Sequence, residues 1–143
     1  YAFEFFKINF GKSLKNKTVL FLGVSYRGDV GDTRFTPVEK MYDLFIKNGA
    51  KILLNDPLVP FWEEKDLKVE TSLKKSLKTK FDIVILCTNH SIYKSNKLTT
   101  ELNKIDKELY LYDTLGVLKK NQISNLNSNI KTLVLGRGDL IEK

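Results

Sequence analysis

Residues 23–35 hold the side chains of this sequence that are best suited to bind a charged ligand. Glycines alternate there with polar and charged residues, in the order Gly23, Tyr26, Arg27, Gly28, Asp29, Gly31, Asp32 and Arg34. Guanidinium groups bind phosphates and carboxylates through paired N–H donors, and backbone N–H groups near Gly28 would add to them. We therefore expect an anion site here. The alternative is that Arg34 pairs with Asp32 or Asp29 only to hold the loop.

The glycine pattern excludes two common phosphate-binding motifs. The sequence contains no G-x-G-x-x-G. Gly23 and Gly28 have the spacing of a P-loop, but Asp29 stands where that motif needs a lysine. An anion would therefore be held by Arg27 and Arg34, and not by a glycine-rich loop alone.

Cys87 and His90 are the single cysteine and the single histidine of the sequence. Their closeness allows a nucleophile–base couple, but no third orienting group is identifiable from the sequence. The interpretation that we favour is that Cys87, at a strand end, is a small buried hydrophobic residue. One histidine and one cysteine are too few for a metal site, so none is predicted.

The polar stretch lies between a short apolar run and an amphipathic helix. The run Thr18–Leu22 is typical of a parallel strand that is buried on both faces. In the helix, Thr36 is the expected N-cap, Pro37 the first helical residue and Glu39 the partner in a capping box. Gly49 would follow the last turn. The residues expected on the buried face are Val38, Met41, Tyr42 and Phe45.

Further apolar runs, at residues 51–55, 81–87, 109–112 and 131–135, predict the fold. Helical segments between them indicate an α/β protein. We expect a doubly wound, Rossmann-like parallel sheet of five or six strands with helices on both faces, preceded by an N-terminal helix. If the strand order is 3-2-1-4-5-6, the loops at 25–34 and 88–91 face each other across one crevice, where we place the ligand.

Asp56 ends the second predicted strand and precedes Pro57. In a dinucleotide-binding fold, an acidic residue at this place binds a ribose. The alternative, which we favour, is that its side chain closes an Asx-turn.

The first residues have the pattern of an amphipathic helix that reaches to about Lys15. The residues on its apolar face are Phe3, Phe6, Phe10 and Leu14. Two interpretations are open. The helix covers one face of this domain, or it is the tail of a longer helix that packs against another domain or subunit.

The composition is that of a folded protein of one domain. The chain has 143 residues, 42% of them hydrophobic, and a formal net charge of +7. Its lysines are spread without a dense basic face, so no nucleic-acid partner is predicted. No apolar run approaches the roughly 18 residues of a membrane span, and a single cysteine suits a reducing compartment. We expect a cytoplasmic protein without membrane association.

The segment 23–37 resembles the motif G-x-x-[FY]-K-x-[DN]-x-x-D-x-R-x-[ST]-P of the UDP-glucose/GDP-mannose dehydrogenase family. In that family the motif belongs to the C-terminal, UDP-binding domain. The likeness continues through residues 49–50, 55–60, 81–88, 90 and 113–118. It covers Lys17 to Gly138 in the same order and spacing.

The resemblance implies the substrate-nucleotide-binding domain of an NAD-dependent nucleotide-sugar 6-dehydrogenase. Such an enzyme oxidises a UDP-sugar to the uronic acid in two steps and supplies a precursor for polysaccharide synthesis. In this family an N-terminal domain binds NAD, and a central helical region carries the nucleophilic cysteine and forms a homodimer. Residues 1–16 would be the end of that connecting region, and residues 17–143 the nucleotide-sugar-binding domain. No catalytic residue is expected in this chain, because Cys87 does not match the family's cysteine motif.

The resemblance also implies roles for particular residues. Tyr26 and Arg27 would contact the nucleotide-sugar, and Arg27 stands where the family usually has lysine. Arg34 would reach the NAD site across a domain interface. Asp32 and Gly28 would support the loop.

Leu115 departs from the resemblance, because it stands where the family commonly has an arginine that helps to bind the nucleotide. Two alternatives therefore stay open. One is a non-catalytic nucleotide-binding module, and the other is an assembly or oligomerisation domain that has lost nucleotide binding. Burial of the loop arginines in mutual salt bridges, with no open crevice, would favour the assembly role.

Overall fold

The computed structural model describes residues 1–135, which form alternating helices and strands. In chain order they are α1 (Ala2–Phe10), β1 (Thr18–Leu22), α2 (Val38–Lys47), β2 (Lys51–Asn55), β3 (Phe61–Trp62), a 3-10 turn (Glu63–Lys65), β4 (Leu67–Lys68), α3 (Leu73–Leu77), β5 (Ile83–Leu86), α4 (Ser91–Lys94), α5 (Asn96–Leu102), β6 (Leu109–Asp113), α6 (Lys120–Ser124) and β7 (Ile130–Val134). Gly138, the last residue covered by the resemblance, lies outside the described residues.

Within residues 1–135, five parallel strands form one sheet in the order β2-β1-β5-β6-β7. Leu22 at the end of β1 lies beside Asn55 of β2 and Leu86 of β5. The predicted doubly wound parallel sheet is confirmed, and β1 and β5 are adjacent as expected. The order 3-2-1-4-5-6 is wrong. The segment after β2 folds as the antiparallel hairpin β3–β4 and helix α3, and among the described residues it pairs with β2 only through an isolated parallel bridge between Asn55 and Glu70.

The helices pack on both faces of the sheet, because side chains of successive strand residues point to opposite faces. Phe21 and Ile85 pack on the face that α1 and α2 cover, together with Phe45 of α2. Leu20 and Val84 pack on the opposite face, with the buried side chains of α3, α4, α5 and α6. Among the described residues, no helix has the length and apolar character needed to cross a membrane.

Helix α1 packs on the sheet through its phenylalanines. The Phe6 ring stacks on Phe10 and on Tyr112 of β6, each at 5.2 Å between centroids, and the Tyr112 hydroxyl donates a hydrogen bond to the Ala2 carbonyl at 2.7 Å. The helix therefore covers one face of this domain, which is the first of the two interpretations. It ends earlier than predicted, because Gly11 takes a left-handed conformation with φ of 68°.

Helix α2 begins at Val38, and the predicted capping box does not form. Thr36 is buried, and its Oγ1 bonds the Ser25 carbonyl and the Val38 N–H, each at 3.3 Å, while Pro37 is the N-cap. The threonine is therefore used to join the preceding loop to the helix. The predicted apolar face and the left-handed Gly49 after the helix, with φ of 90°, are confirmed.

Candidate functional site

The loop between β1 and α2, residues 23–37, lies at the edge where the parallel strands have their carboxyl ends. The chain leaves β1 at Gly23, whose φ is 105°. A Cβ at this position would overlap the side chain of Thr88, which follows β5. The Thr88 Oγ1 also donates to the Ser25 carbonyl at 3.0 Å. The β1–α2 loop is thus in direct contact with the loop after β5 from its first residues.

A tight turn at residues 27–30 packs on the loop after β5. Its Gly28 N–H donates to Asn89 Oδ1 at 2.8 Å, and its Asp29 N–H donates to His90 Nδ1 at 2.8 Å. These contacts correct two expectations. The loops 25–34 and 88–91 do not face each other across an open crevice, because they bond to each other here. The N–H groups of Gly28 and Asp29 already have acceptors and are not available for an anion.

The Asp29 side chain fixes the same turn from its outer side. Its carboxylate accepts hydrogen bonds from the Ser91 hydroxyl and from the Ser91 N–H, the latter at 3.0 Å. These two bonds hold the pKa of Asp29 below its usual value. Asp29 itself has a φ of 60°, a left-handed conformation that aspartate tolerates better than most residues.

Asp56 is fully buried beneath the loop. Its Oδ2 accepts hydrogen bonds from the Val24 N–H at 2.9 Å, from the Ser25 N–H at 3.1 Å and from His90 Nε2 at 2.9 Å. Burial alone would raise the pKa of this carboxyl. The bonds from His90, the backbone and Ser25 outweigh burial, and the pKa lies below its usual value.

The other oxygen of Asp56 accepts the Leu58 N–H at 2.9 Å, which is the favoured Asx-turn. A ribose has no access to this carboxylate, because the side chain is enclosed by the loop that it binds. Asp56 therefore supports the loop from below.

Arg34 and Asp32 form an exposed ion pair on the loop. Asp32 accepts from Arg34 Nη2 at 2.9 Å and from Nε at 3.1 Å, and these bonds lower the pKa of Asp32 to about 2. The Arg34 side chain is nevertheless 76% exposed. It borders an open depression of about 390 Å³ that Tyr26, Asp32 and Phe35 also line.

Tyr26 and Arg27 project from the loop toward solvent. Tyr26 is 57% exposed, and its N–H is held by the Asp32 carbonyl at 2.6 Å. Arg27 is exposed and makes no side-chain hydrogen bond or ion pair with another residue of the range 1–135. Neither loop arginine is buried in a mutual salt bridge, so of the two features that together would favour an assembly role, buried arginines and the lack of an open crevice between the loops, only the second is found.

Phe35 occupies an unusual position beside Arg34. Its ring is 91% exposed and its φ is 58°. A left-handed conformation is strained for a bulky side chain. Because the ring is exposed, it also adds no stabilisation from apolar burial. No motif reasoning from the sequence pointed to this residue.

The Cys87–His90 couple does not form. The Cys87 thiol is buried, which raises its pKa well above the usual value, and its Sγ lies 3.6 Å from the Ile85 carbonyl oxygen. Both ring nitrogens of His90 bond other groups, Asp29 and Asp56. Cys87 is the buried hydrophobic residue that we favoured.

Leu115 lies in the loop after β6, which the buried carboxylate of Asp113 holds in place. Asp113 accepts hydrogen bonds from the N–H groups of Leu115, Val117 and Leu118 at 2.8 to 3.1 Å. The Leu115 side chain is exposed. It therefore presents an apolar surface at the edge where the resemblance leads one to expect a guanidinium.

The sequence did not reveal that other residues hold the β1–α2 loop in place. Asn89, His90 and Ser91 hold the turn 27–30, and Asp56 holds the start of the loop. The available signal was the polar run that follows β5 directly. Parallel strands bring such a run to the same edge as the β1–α2 loop.

Comparison with known proteins identifies the family of this chain. Residues 20–120 match the model of the UDP-glucose/GDP-mannose dehydrogenase family, UDP binding domain. A UDP-N-acetyl-D-mannosamine dehydrogenase from Methanococcus aeolicus is 28% identical over 129 residues, which are 89% of this chain and 28% of that protein. The chain thus spans little more than a quarter of the length of that curated relative.

Solved structures share the fold. An NDP-N-acetyl-D-galactosaminuronic acid dehydrogenase from Methanosarcina mazei Go1 aligns with a TM-score of 0.76 and 21% identity, over 99% of this chain and 29% of that one. A UDP-D-ManNAc dehydrogenase from Pyrococcus horikoshii aligns with a TM-score of 0.71 and 20% identity, over 93% and 28%. The family match extends over most of the chain, including the whole β1–α2 loop, and the chain therefore belongs to the UDP-binding domain of the UDP-glucose/GDP-mannose dehydrogenase family.

Proposed function

We propose that this chain is the substrate-nucleotide-binding domain of an NAD-dependent dehydrogenase that oxidises a UDP-sugar to the UDP-uronic acid. The observation that carries the proposal is the family match over residues 20–120, which includes the β1–α2 loop at the carboxyl edge of the sheet. Ligands of open α/β sheets bind at this edge. The activity belongs to a protein longer than this chain, because the relative from Methanococcus aeolicus is more than three times its length.

Tyr26 and Arg27 are proposed to bind the nucleotide-sugar. Both side chains are exposed on a loop whose backbone is fixed from below by Asp56 and from the side by His90. A guanidinium offers paired donors to a pyrophosphate, and a tyrosine ring offers a flat apolar surface and one hydroxyl. A fixed backbone lowers the entropy that is lost when these side chains become ordered on the ligand.

Arg34 is proposed to act toward NAD, which would bind mainly to a part of the protein outside this chain. Its guanidinium fits that role, because Asp32 orients it while most of its surface stays exposed beside an open depression. When bound, NAD supplies the hydride acceptor for each of the two oxidation steps. Within this chain Arg34 orients and neutralises an anionic group, while Asp32 and Gly28 keep its loop in place.

The substrate class follows from the relatives only as a proposal. The relative from Methanococcus aeolicus is named for UDP-N-acetyl-D-mannosamine, so this nucleotide-sugar is the first to test. A product of this kind is a precursor for polysaccharide synthesis. A homodimeric, cytoplasmic enzyme without nucleic-acid or membrane partners remains our prediction.

Calorimetric titration of the chain with UDP, and with GDP for comparison, tests the proposal. Saturable UDP binding is expected, with a dissociation constant about tenfold higher for Arg27→Ala, as for the loss of a charge-assisted hydrogen bond. Lys51→Ala is the matched control. It removes one exposed positive charge at the start of β2, which lies at the amino end of the strands and so away from the β1–α2 loop.

The outcomes separate the alternatives. Equal weakening by Arg27→Ala and Lys51→Ala would indicate general charge attraction and not a site on the loop. If folded protein binds neither nucleotide at millimolar concentration, the chain has lost nucleotide binding, and Leu115→Arg becomes the variant with which to test restoration.

A further inference from the structure

The imidazole of His90 joins three segments beneath the proposed binding residues. The ring is completely buried. Its Nδ1 lies 2.8 Å from the Asp29 backbone nitrogen in the turn 27–30, and its Nε2 lies 2.9 Å from Asp56 Oδ2 after β2. His90 itself follows β5, so one ring connects the ends of β2 and β5 with the turn that carries Arg27.

These partners determine where the ring proton lies. A backbone N–H can only donate, so Nδ1 facing the Asp29 N–H must be an unprotonated acceptor. A carboxylate can only accept, so Nε2 facing Asp56 must carry the proton. The ring is therefore neutral, with its hydrogen on Nε2, and both nitrogens are used.

We propose that His90 is a positioning residue for nucleotide binding, and that its neutral Nε2–H tautomer fixes the turn 27–30 and so aims Arg27 and Tyr26. The inference rests on the proposed function for what the loop binds. The geometric argument is independent of it. Gly28 and Asp29 are the two residues at the tip of the turn, and each donates its N–H to the loop after β5. Loss of the acceptor at Nδ1 leaves the Asp29 N–H without a partner.

Protonation of His90 has the same consequence. An imidazolium carries hydrogens on both nitrogens, so Nδ1–H would oppose the Asp29 N–H and the turn would have to shift. The charged ring would then turn to the Asp29 carboxylate, whose Oδ1 lies 3.8 Å from Nδ1. The titratable groups that face the ring are Asp56 after β2, Asp29 of the turn and Tyr93 of α4, whose ring lies 5.6 Å away. Cys87 precedes His90 at the end of β5.

Two substitutions separate the two nitrogens. His90→Asn places an amide oxygen near the position of Nδ1 and can still accept from the Asp29 N–H. His90→Gln places an amide nitrogen near the position of Nε2 and preserves only the bond to Asp56. Tyr93→Phe is the control, because it keeps the ring beside His90 and removes only a hydroxyl that bonds Asn55.

The first readouts need no ligand. Long-range proton–nitrogen correlation spectra of the 143-residue chain are expected to show His90 protonated on Nε2 alone. Hydrogen exchange is expected to show a protected Asp29 amide in the unmodified chain and in His90→Asn, and an unprotected one in His90→Gln. A proton on Nδ1 in the unmodified chain would overturn the inference even if a variant fails to fold. Equal protection of the Asp29 amide in all folded variants would also overturn it.

UDP titration gives the functional readout. The dissociation constant is expected to rise about tenfold in His90→Gln, to change less than about threefold in His90→Asn, and to stay unchanged in Tyr93→Phe. A dissociation constant for UDP that is unchanged in both His90 variants refutes the positioning role. Absence of UDP binding by the unmodified, folded chain refutes the proposed function instead.

Discussion

The backbone of Gly28 lies directly against Asn89. The Gly28 N–H donates to Asn89 Oδ1 at 2.8 Å, and a Cβ at position 28 would overlap the carbonyl oxygen of Asn89. Because that obstacle includes backbone, it cannot move aside by a change of rotamer. The glycine is thus required by close packing of two loops at the edge where β1 and β5 end.

Gly28→Ala is expected to displace the turn 27–30 and to destabilise the protein by about 1–3 kcal/mol, as overpacking does. The affinity for UDP, measured by calorimetry on folded protein, should also fall. Gly11→Ala is the control. A Cβ there meets nothing nearer than the Ile8 carbonyl oxygen at 4.0 Å, so this variant is destabilised only by the left-handed φ at position 11. A Gly28→Ala protein with unchanged affinity would show that the turn does not aim the binding residues.

The Asp32–Arg34 pair predicts a pH dependence. The pKa of Asp32 is lowered to about 2 by the hydrogen bonds from Arg34, below the value of about 3.9 expected in an unfolded chain. The ion pair therefore stabilises the folded protein fully when the pH is above the pKa of Asp32 in the unfolded chain. This stabilisation is lost as the pH falls through the pKa of Asp32 in the folded protein. In Arg34→Ala the pKa of Asp32 should return toward its usual value, as followed by NMR of its carboxyl carbon.

Arg27→Ala is the comparison for that titration, because Arg27 acts on Asp32 only through its charge. It should raise the pKa of Asp32 by less than Arg34→Ala does. Equal shifts in the two variants would mean that the hydrogen bonds to Arg34 are not formed in solution.

The left-handed backbone at Phe35 should tolerate glycine better than alanine. Phe35→Gly relieves the left-handed φ of 58° and is expected to be more stable than Phe35→Ala by about 1 kcal/mol, measured by urea unfolding. The alanine variant is the control, since it removes the same ring but keeps the strain. If the two variants are equally stable, residue 35 does not hold this conformation in solution.

Helix α1 should contribute strongly to the stability of the domain. Phe6 is buried and contacts the rings of Phe10, Phe45 and Tyr112, so Phe6→Ala is expected to cost about 3–5 kcal/mol in the free energy of unfolding. Ile8 is exposed on the same helix, and Ile8→Ala should change stability by less than about 0.5 kcal/mol. Similar costs for the two substitutions would contradict the packing of α1 on this sheet.

The sequence by itself determined the class of fold and the place of the polar loop within it. Short apolar runs such as Thr18–Leu22 alternate with helical segments, and a parallel sheet with helices on both faces buries such runs from both sides. The polar stretch after β1 then had to lie at the carboxyl edge of that sheet. Its spacing of Tyr26, Arg27, Asp32 and Arg34 carried the resemblance, and the family match confirms that resemblance.

Only the tertiary structure decided what each polar group of the site contacts. Asp56 and His90 are separated by 34 positions in the chain, and nothing local pairs them. Their contact depends on β2 and β5 lying on either side of β1, because the ends of three parallel strands then meet at one edge. The same arrangement gave the N–H groups of Gly28 and Asp29 partners within the protein and closed the expected crevice. A hydrogen bond depends on distances of a few tenths of an ångström, and residue types and spacing alone do not specify those distances.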